Sequence, residues 1–200
     1  MSLRTDQSLI AEWIKPNSRV LDLGCGDGTL MAYLQKNQHV SGYGLEINEE
    51  NIVQCIHKGV DVIQTDLDKG LSEFNRESFD YVIMTQTLQA IYYPDKLLKE
   101  MTRVGREAIV TFPNMGHWKN RLQLALTGRM PKSKTLPYEW YNTPNIHLFT
   151  LADFERLCAK ISIRILDRST VDNEHHSSLS MKLFPNLLGE IAIYRFQQKN

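Results

Sequence analysis

Apolar residues along this chain follow two rhythms, helical spacing and short continuous runs, and the two alternate. Leu9, Ile10, Trp13 and Ile14 share the helical spacing and predict a helix over 6–14, which Lys15, Pro16, Asn17 and Ser18 then stop. Val20, Leu21 and Leu23 make a first strand-like run. Leu30, Met31 and Leu34 lie on one face of a helix over 29–37, a second run covers 39–45, and Asn48 caps a helix over 49–57. Gly59 stops that helix and a third run covers 60–64. The run over 78–85 is apolar on both faces, as a central parallel strand must be. Pro94 and Asp95 open a helix that buries Leu97, Leu98 and Met101 and ends near Gly105, and a fifth strand follows over 107–112. A capping-box-like start at Thr150 and Asp153 leads a helix with Phe154, Leu157 and Cys158 on its inner side, and two last strands are read over 161–166 and 190–196. Strands alternating with helices predict an α/β fold with a parallel sheet and right-handed crossovers, whose ligand crevice lies at the C-terminal strand ends.

The stretch RVLDLGCGDGTL sits at the first of those ends. A strand enters a loop with glycine at alternate positions, Gly24, Gly26 and Gly28, and a helix follows at once. Glycine there permits a tight turn and lets a ligand approach bare main-chain N–H groups. Many glycine-rich turns bind nothing, so the ligand reading rests on two further strand tips. Glu46 ends the second run twenty residues after Gly26, and Thr65 and Asp66 end the third. The spacing G-x-G-x-G differs from the G-x-G-x-x-G that seats a pyrophosphate. Asp22 and Asp27 add negative charge that would repel a pyrophosphate and suit an ammonium or sulfonium group. A dinucleotide remains the lesser reading.

On these residues the chain resembles the class I S-adenosylmethionine-dependent methyltransferases, whose first motif looks like VLDLGCGDG. The resemblance implies a doubly wound seven-stranded sheet, mostly parallel, with an antiparallel last strand beside the sixth. It also implies a cofactor-binding set of Asp22, Gly24, Cys25, Gly26, Gly28, Glu46, Ile47, Asp66, Leu67 and Thr85. In that set the glycine loop holds the methionine part, Glu46 the ribose hydroxyls and Asp66 the adenine amino group, while Asp22 orients the cofactor's amino group directly or through water. Related enzymes carry a histidine after the fourth strand where this chain has Gln89. Two longer segments, FPNMGHWKNRLQLALTGRMP and LPYEWYNTPNIHLFT, together with QTLQAIYYP, are similar to the MetW family of bacterial methionine biosynthesis. That similarity implies a protein that binds S-adenosylmethionine or S-adenosylhomocysteine and works with homoserine O-acyltransferase. It leaves open whether methyl groups are transferred to a small molecule.

Composition narrows the rest. The 200 residues, 42% of them hydrophobic, make one domain over 1–200, with a lid or docking insertion at about 113–149. In that insertion Tyr138, Trp140 and Tyr141 lie among prolines, which reads equally as a partner surface or as a cap on the sheet's open end. Lysine plus arginine and aspartate plus glutamate number 23 each, so the chain shows no basic excess for nucleic acid. The group Arg121, Arg129, Lys132 and Lys134 reads as a solvated loop. No signal peptide or membrane span is visible, and three widely spaced cysteines fit a reducing compartment, so the expected location is the cytoplasm. Cys25 reads as a small residue rather than a nucleophile, and Asp66, Asp68, Glu73, Glu77 and Asp80 as a solvated loop rather than a metal site. His175 and His176 read as surface loop. His117 and His147 are candidates for acid or base work, with no carboxylate adjacent in sequence to tune either.

Overall fold

The computed structural model describes residues 3–172 and 179–199, so His175 and His176 lie outside the described residues. The chain runs α1 (Thr5–Trp13), β1 (Arg19–Leu23), α2 (Thr29–Gln38), β2 (Ser41–Glu46), α3 (Glu49–His57), β3 (Val62–Gln64), β4 (Phe79–Thr85), α4 (Pro94–Val104) and β5 (Gly105–Pro113). It continues through α5 (Trp118–Thr127), α6 (Leu151–Lys160), β6 (Ile163–Val171), α7 (Leu179–Leu183), α8 (Pro185–Leu188) and β7 (Ile191–Gln198). The seven strands form one sheet in the order β3-β2-β1-β4-β5-β7-β6. The first five pair in parallel, and β7 inserts antiparallel between β5 and β6. This is the doubly wound, mostly parallel sheet expected. The winding reverses between β1 and β4, which is where such sheets open a crevice at their C-terminal ends.

Both faces of the central strands are buried because neighbouring residues point to opposite sides. Leu21, Val82, Val110 and Tyr194 pack against Leu98 and Met101 of α4 and Phe154 of α6. Val20, Ile83, Ile109 and Ile193 pack against Ile10 of α1, Ile14 at its C-cap, and Leu30, Met31 and Leu34 of α2. The N-terminal helix therefore packs on the sheet, and Trp13 belongs to that contact.

Several strand limits differ from the sequence pattern, β3 for instance starting at Val62 rather than 60, and two of the differences have a plain cause. His39 adopts φ 54° as the C-cap of α2, so β2 starts at Ser41 rather than 39. Strand β6 reaches Val171 rather than 166 because it is an edge strand, with a register shift between Ile165 and Asp167 that breaks the alternation and brings Asp167, Arg168 and Ser169 into the ladder. The cap at Thr150 is a full capping box. Its hydroxyl accepts from the Asp153 N–H, while the Asp153 carboxylate accepts from the Thr150 N–H at 3.0 Å. Thr150→Ala is expected to lower unfolding stability by about 1 kcal/mol, read as a shift in urea midpoint at constant slope.

The segment over 114–149 is pinned at both ends. Asn114, 1% exposed, donates to the carbonyls of Asn186 and Gly189 and accepts from the Gly116 N–H, while the Met115 N–H donates to the Phe149 carbonyl. The N–H groups of Ile146 and His147 both donate to the Gln89 carbonyl. Between these pins α5 buries only Asn120 and leaves Leu122, Leu124 and Leu126 exposed. Tyr138, Trp140 and Tyr141 are exposed by 50%, 74% and 69%. Those values are large for aromatic side chains, whereas Phe112, Phe154, Tyr194 and Phe196 are fully buried in the core.

Candidate functional site

The glycine loop is built at the tip of β1. The N–H groups of Gly24 and Cys25 both donate to the Leu45 carbonyl, at 2.8 and 3.1 Å, which ties the loop to β2. Gly24, Gly26 and Gly28 all lie in the left-handed region, with φ of 68°, 56° and 73°. The open side of the loop is at Gly26, where an added Cβ would meet nothing within 4 Å. At Gly28 the same atom would strike the Cys55 sulfur at 2.9 Å.

Glu46, at the end of β2, faces this loop. Its Oε2 accepts from the Gly26 N–H at 2.8 Å, and its Oε1 accepts from the N–H groups of Ile47 and Asn48 at 2.8 and 2.9 Å. A carboxylate has about four acceptor positions, so capacity remains for a ligand hydroxyl. Ile47 is 61% exposed beside it. The Thr65 N–H donates to the Glu46 carbonyl, which brings the third strand tip alongside. There Asp66 caps a short 3-10 turn by accepting from the Asp68 N–H, while Leu67 turns its side chain into the core. Thr85 ends β4 opposite Thr111 of β5.

Asp22 is the unusual group. It is 1% exposed at the end of β1, and neither carboxylate oxygen has a hydrogen-bond partner. Burial pushes its pKa up to about 7, Arg4 opposes the rise, and Glu46 adds to it. Asp27 behaves differently from the sequence reading, which counted it with Asp22. It is an exposed residue that accepts from Thr29 and pairs with Lys58, and these bonds outweigh its partial burial and hold its pKa below the ordinary value. The negative field at the loop therefore comes from Asp22 and Glu46. Cys25 lies with its sulfur 3.7 Å from that of Cys55, whose thiol donates to the Gly26 carbonyl at 3.2 Å. Burial and the nearby Asp22 push the Cys25 thiol well up, which leaves it a protonated packing residue.

These residues fit a compact cationic ligand that carries hydroxyl groups. An orphaned carboxylate, a second carboxylate facing bare main-chain N–H, and open space at Gly26 meet on one edge. Among the described residues no cluster of three or more His, Cys, Asp or Glu is arranged to hold a metal, and no helix is long and apolar enough to cross a membrane.

Sequence reasoning missed the neighbouring network. Asp6, 2% exposed at the start of α1, accepts from Arg4, from Gln86 at 3.2 Å and from Thr111 at 3.3 Å, and so joins the N-terminal helix to the tips of β4 and β5. The signal available was a polar pair, Gln86 and Thr87, directly after an apolar strand. A cleft of about 680 Å3 opens between this network and the insertion. A second, of about 510 Å3, holds His117 with its Nε2 4.0 Å from Glu190. Burial lowers the His117 pKa, Glu190 opposes the shift and Lys119 adds to it, so the imidazole is neutral at pH 7. The structure thus supplies the carboxylate that the sequence did not place beside this histidine. His147 lies 3.5 Å from the Tyr92 carbonyl, away from that pair.

Residues 4–196 match the family model described as methionine biosynthesis protein MetW. The bifunctional methionine biosynthesis protein MetXA/MetW of Rhodopirellula baltica is 35% identical over the whole chain, which covers 34% of that relative. A phthiotriol/phenolphthiotriol dimycocerosates methyltransferase of Mycobacterium ulcerans is 31% identical over 44% of the chain and 34% of its own length. The chain thus spans about a third of the length of these curated relatives. In fold it is similar to an S-adenosylmethionine-dependent methyltransferase from Mesorhizobium loti, with a TM-score of 0.71 at 13% identity, covering 97% of this chain and 98% of the other. A methyltransferase from Thermotoga maritima, described as a possible histamine N-methyltransferase, superposes with a TM-score of 0.65 at 17% identity, over 97% of this chain and 88% of that one.

Proposed function

Because the chain belongs to the MetW family of methionine-biosynthesis proteins, we propose that it binds S-adenosylmethionine or its demethylated product at the glycine loop and docks on homoserine O-acyltransferase to support or regulate it. The observation that carries the binding half is Asp22, a buried carboxylate with no partner of its own beside an open glycine loop. In this reading Asp22 and the main chain at Gly24, Cys25, Gly26 and Gly28 hold the methionine part, Glu46 with Ile47 holds the ribose, Asp66 with Leu67 holds the adenine, and Thr85 borders the sulfonium side. When bound, the cofactor supplies an electrophilic methyl group on sulfur. The protein's own contribution is to hold it, to orient it and to compensate its positive charge.

The partner half draws on the fused relative, in which a MetXA part and a MetW part share one chain. Where this chain stands apart from such a partner, the insertion offers a surface for it. Trp140 and Tyr141 project from a segment anchored at both ends, so little order is lost on docking. On co-expression the two proteins are expected to co-elute from a sizing column, and acyltransferase activity is expected to rise or to survive longer. The double change Trp140→Ala with Tyr141→Ala is expected to weaken the complex by about tenfold or more without altering the melting temperature. Separate elution of the wild-type pair would overturn the docking reading.

A second reading, methyl transfer to a small molecule, is favoured by one observation. His117 is a neutral imidazole beside Glu190 in a cleft, where it would take a proton from an acceptor. Release of S-adenosylhomocysteine with one member of a broad metabolite panel would establish it, and loss of that release in His117→Ala would assign the base.

A further inference from the structure

The cleft of about 680 Å3 takes none of its wall from the glycine loop or Glu46. It is bounded by Arg4 and Asp6 at the N-terminus, by Gln86 and Gln89 after β4, and by Lys134 and Tyr138 of the insertion. Its volume suits a small molecule. The charged groups on the wall have different commitments. Asp6 takes two hydrogen bonds from the Arg4 guanidinium, at 3.1 and 3.2 Å, and further ones from Gln86 and Thr111, so this pair is consumed in fastening α1 to the sheet. Lys134 makes no ion pair among the described residues and stands at the border of both clefts, as does the carboxylate of Asp172.

Gln89 supplies the opposite end. Its Nε2 donates to the Gln86 carbonyl at 2.6 Å, which fixes the orientation of the amide and leaves Oε1 as an acceptor. That oxygen is buried with no donor, on a residue 7% exposed. Native chains seldom leave a buried acceptor unmatched, and such an atom beside a cleft points to a donor that arrives with a ligand. The methyltransferase resemblance leads one to expect a histidine here. An amide offers instead an acceptor that stays uncharged at every working pH.

An acceptor without a donor and an ammonium in no ion pair, on a cleft wall that also carries Asp172, match the two ends of an amino acid. We infer that this cleft is a second small-molecule site, separate from the glycine loop, for a ligand of the α-amino acid class, with its carboxylate on Lys134 and its ammonium on the Gln89 side-chain carbonyl. The choice of an amino acid over other zwitterions rests on the methionine-biosynthesis reading above.

The test is calorimetry on the full chain, with and without saturating S-adenosylhomocysteine. The probes are L-methionine, L-homocysteine and L-homoserine, then L-methioninol and 4-(methylthio)butanoate, which each lack one charged end. At least one amino acid is expected to bind in both conditions, which excludes the methionine seat of the cofactor. Loss of either charged end, or Lys134→Gln at its exposed position, is expected to weaken binding by about tenfold or more, with S-adenosylhomocysteine affinity unchanged. Gln89→Leu is expected to do the same to the amino acid alone. No heat from any amino acid at millimolar concentration while S-adenosylhomocysteine still binds would overturn the inference, as would equal binding of the truncated probes or an unaltered Lys134→Gln. Amino acid binding in a protein that ignores S-adenosylhomocysteine would instead sink the cofactor reading and leave this one standing.

Discussion

Asp22→Asn is expected to make the ligand-free protein more stable at pH 8 while removing most of its affinity for S-adenosylmethionine. In the folded chain burial raises the Asp22 pKa from 3.8 to about 7. Between those values the unfolded chain has lost a proton that the folded chain retains, so stability falls as pH rises from 3.8 and levels off above about 7. The full span is on the order of 4 kcal/mol. Asparagine keeps the shape and removes the charge, but its amide also lacks partners at this site, which costs roughly 1–3 kcal/mol. The net gain is therefore roughly 1–3 kcal/mol at pH 8; at pH 5 Asp22 is protonated in the folded chain but ionised in the unfolded one, which leaves only about 1.6 kcal/mol of that span, so the gain shrinks to roughly zero or becomes a small loss. Urea melts at the two pH values read this directly.

The same carboxylate is expected to set the pH dependence of binding. A bound cation holds Asp22 ionised, so cofactor uptake below the ligand-free pKa of about 7 must expel a proton. Wild-type affinity is expected to fall by about tenfold from pH 8 to pH 6, whereas the variant shows a weak and level affinity across that range. A wild-type affinity that stays level, or a variant that binds as tightly, would remove Asp22 from the site.

Which parts of this molecule were legible in its sequence follows from how local their causes are. The β1-loop-α2 unit, the Asn48 cap and the Gly59 stop depend on residues a few positions apart, and they lie where the pattern put them. The two-faced apolar run over 78–85 marked the central strand because only a parallel strand between helix layers needs that burial. Contacts across the chain were not legible. Cys25 and Cys55 meet across 30 positions, Asp6 and Gln86 across 80, and Asp6 and Thr111 across 105. His117 has Glu190 near it only because β7 inserts beside β5 and returns its first residues to the end of that strand. Asp27 was misjudged for the same reason, since Lys58 reaches it from the far end of α3. Local pattern therefore marked the glycine loop, and long-range pairing decided which of the charges around it stay free.

Gly26 and Gly28 of that loop are expected to respond differently to one added methyl group. Gly26→Ala meets no atom within 4 Å, so its cost to the fold is the left-handed backbone alone, about 1–2 kcal/mol. Its Cβ enters the open space beside the Gly26 N–H and Glu46, so affinity for S-adenosylmethionine is expected to fall by about tenfold or more. Gly28→Ala carries the same backbone cost and drives its Cβ to 2.9 Å from the Cys55 sulfur and 3.3 Å from the Cys55 Cα. A flexible tip would yield, but main chain at the end of α3 cannot move without opening the contact between α3 and the loop. Strain and overpacking together are expected to cost roughly 2–5 kcal/mol, seen as a large loss of urea midpoint. Cys55→Ala removes the sulfur but leaves the Cα, so combined with Gly28→Ala it is expected to restore part of that loss. A Gly26→Ala protein that binds as before would show that the ligand does not sit on this loop, however well the chain folds.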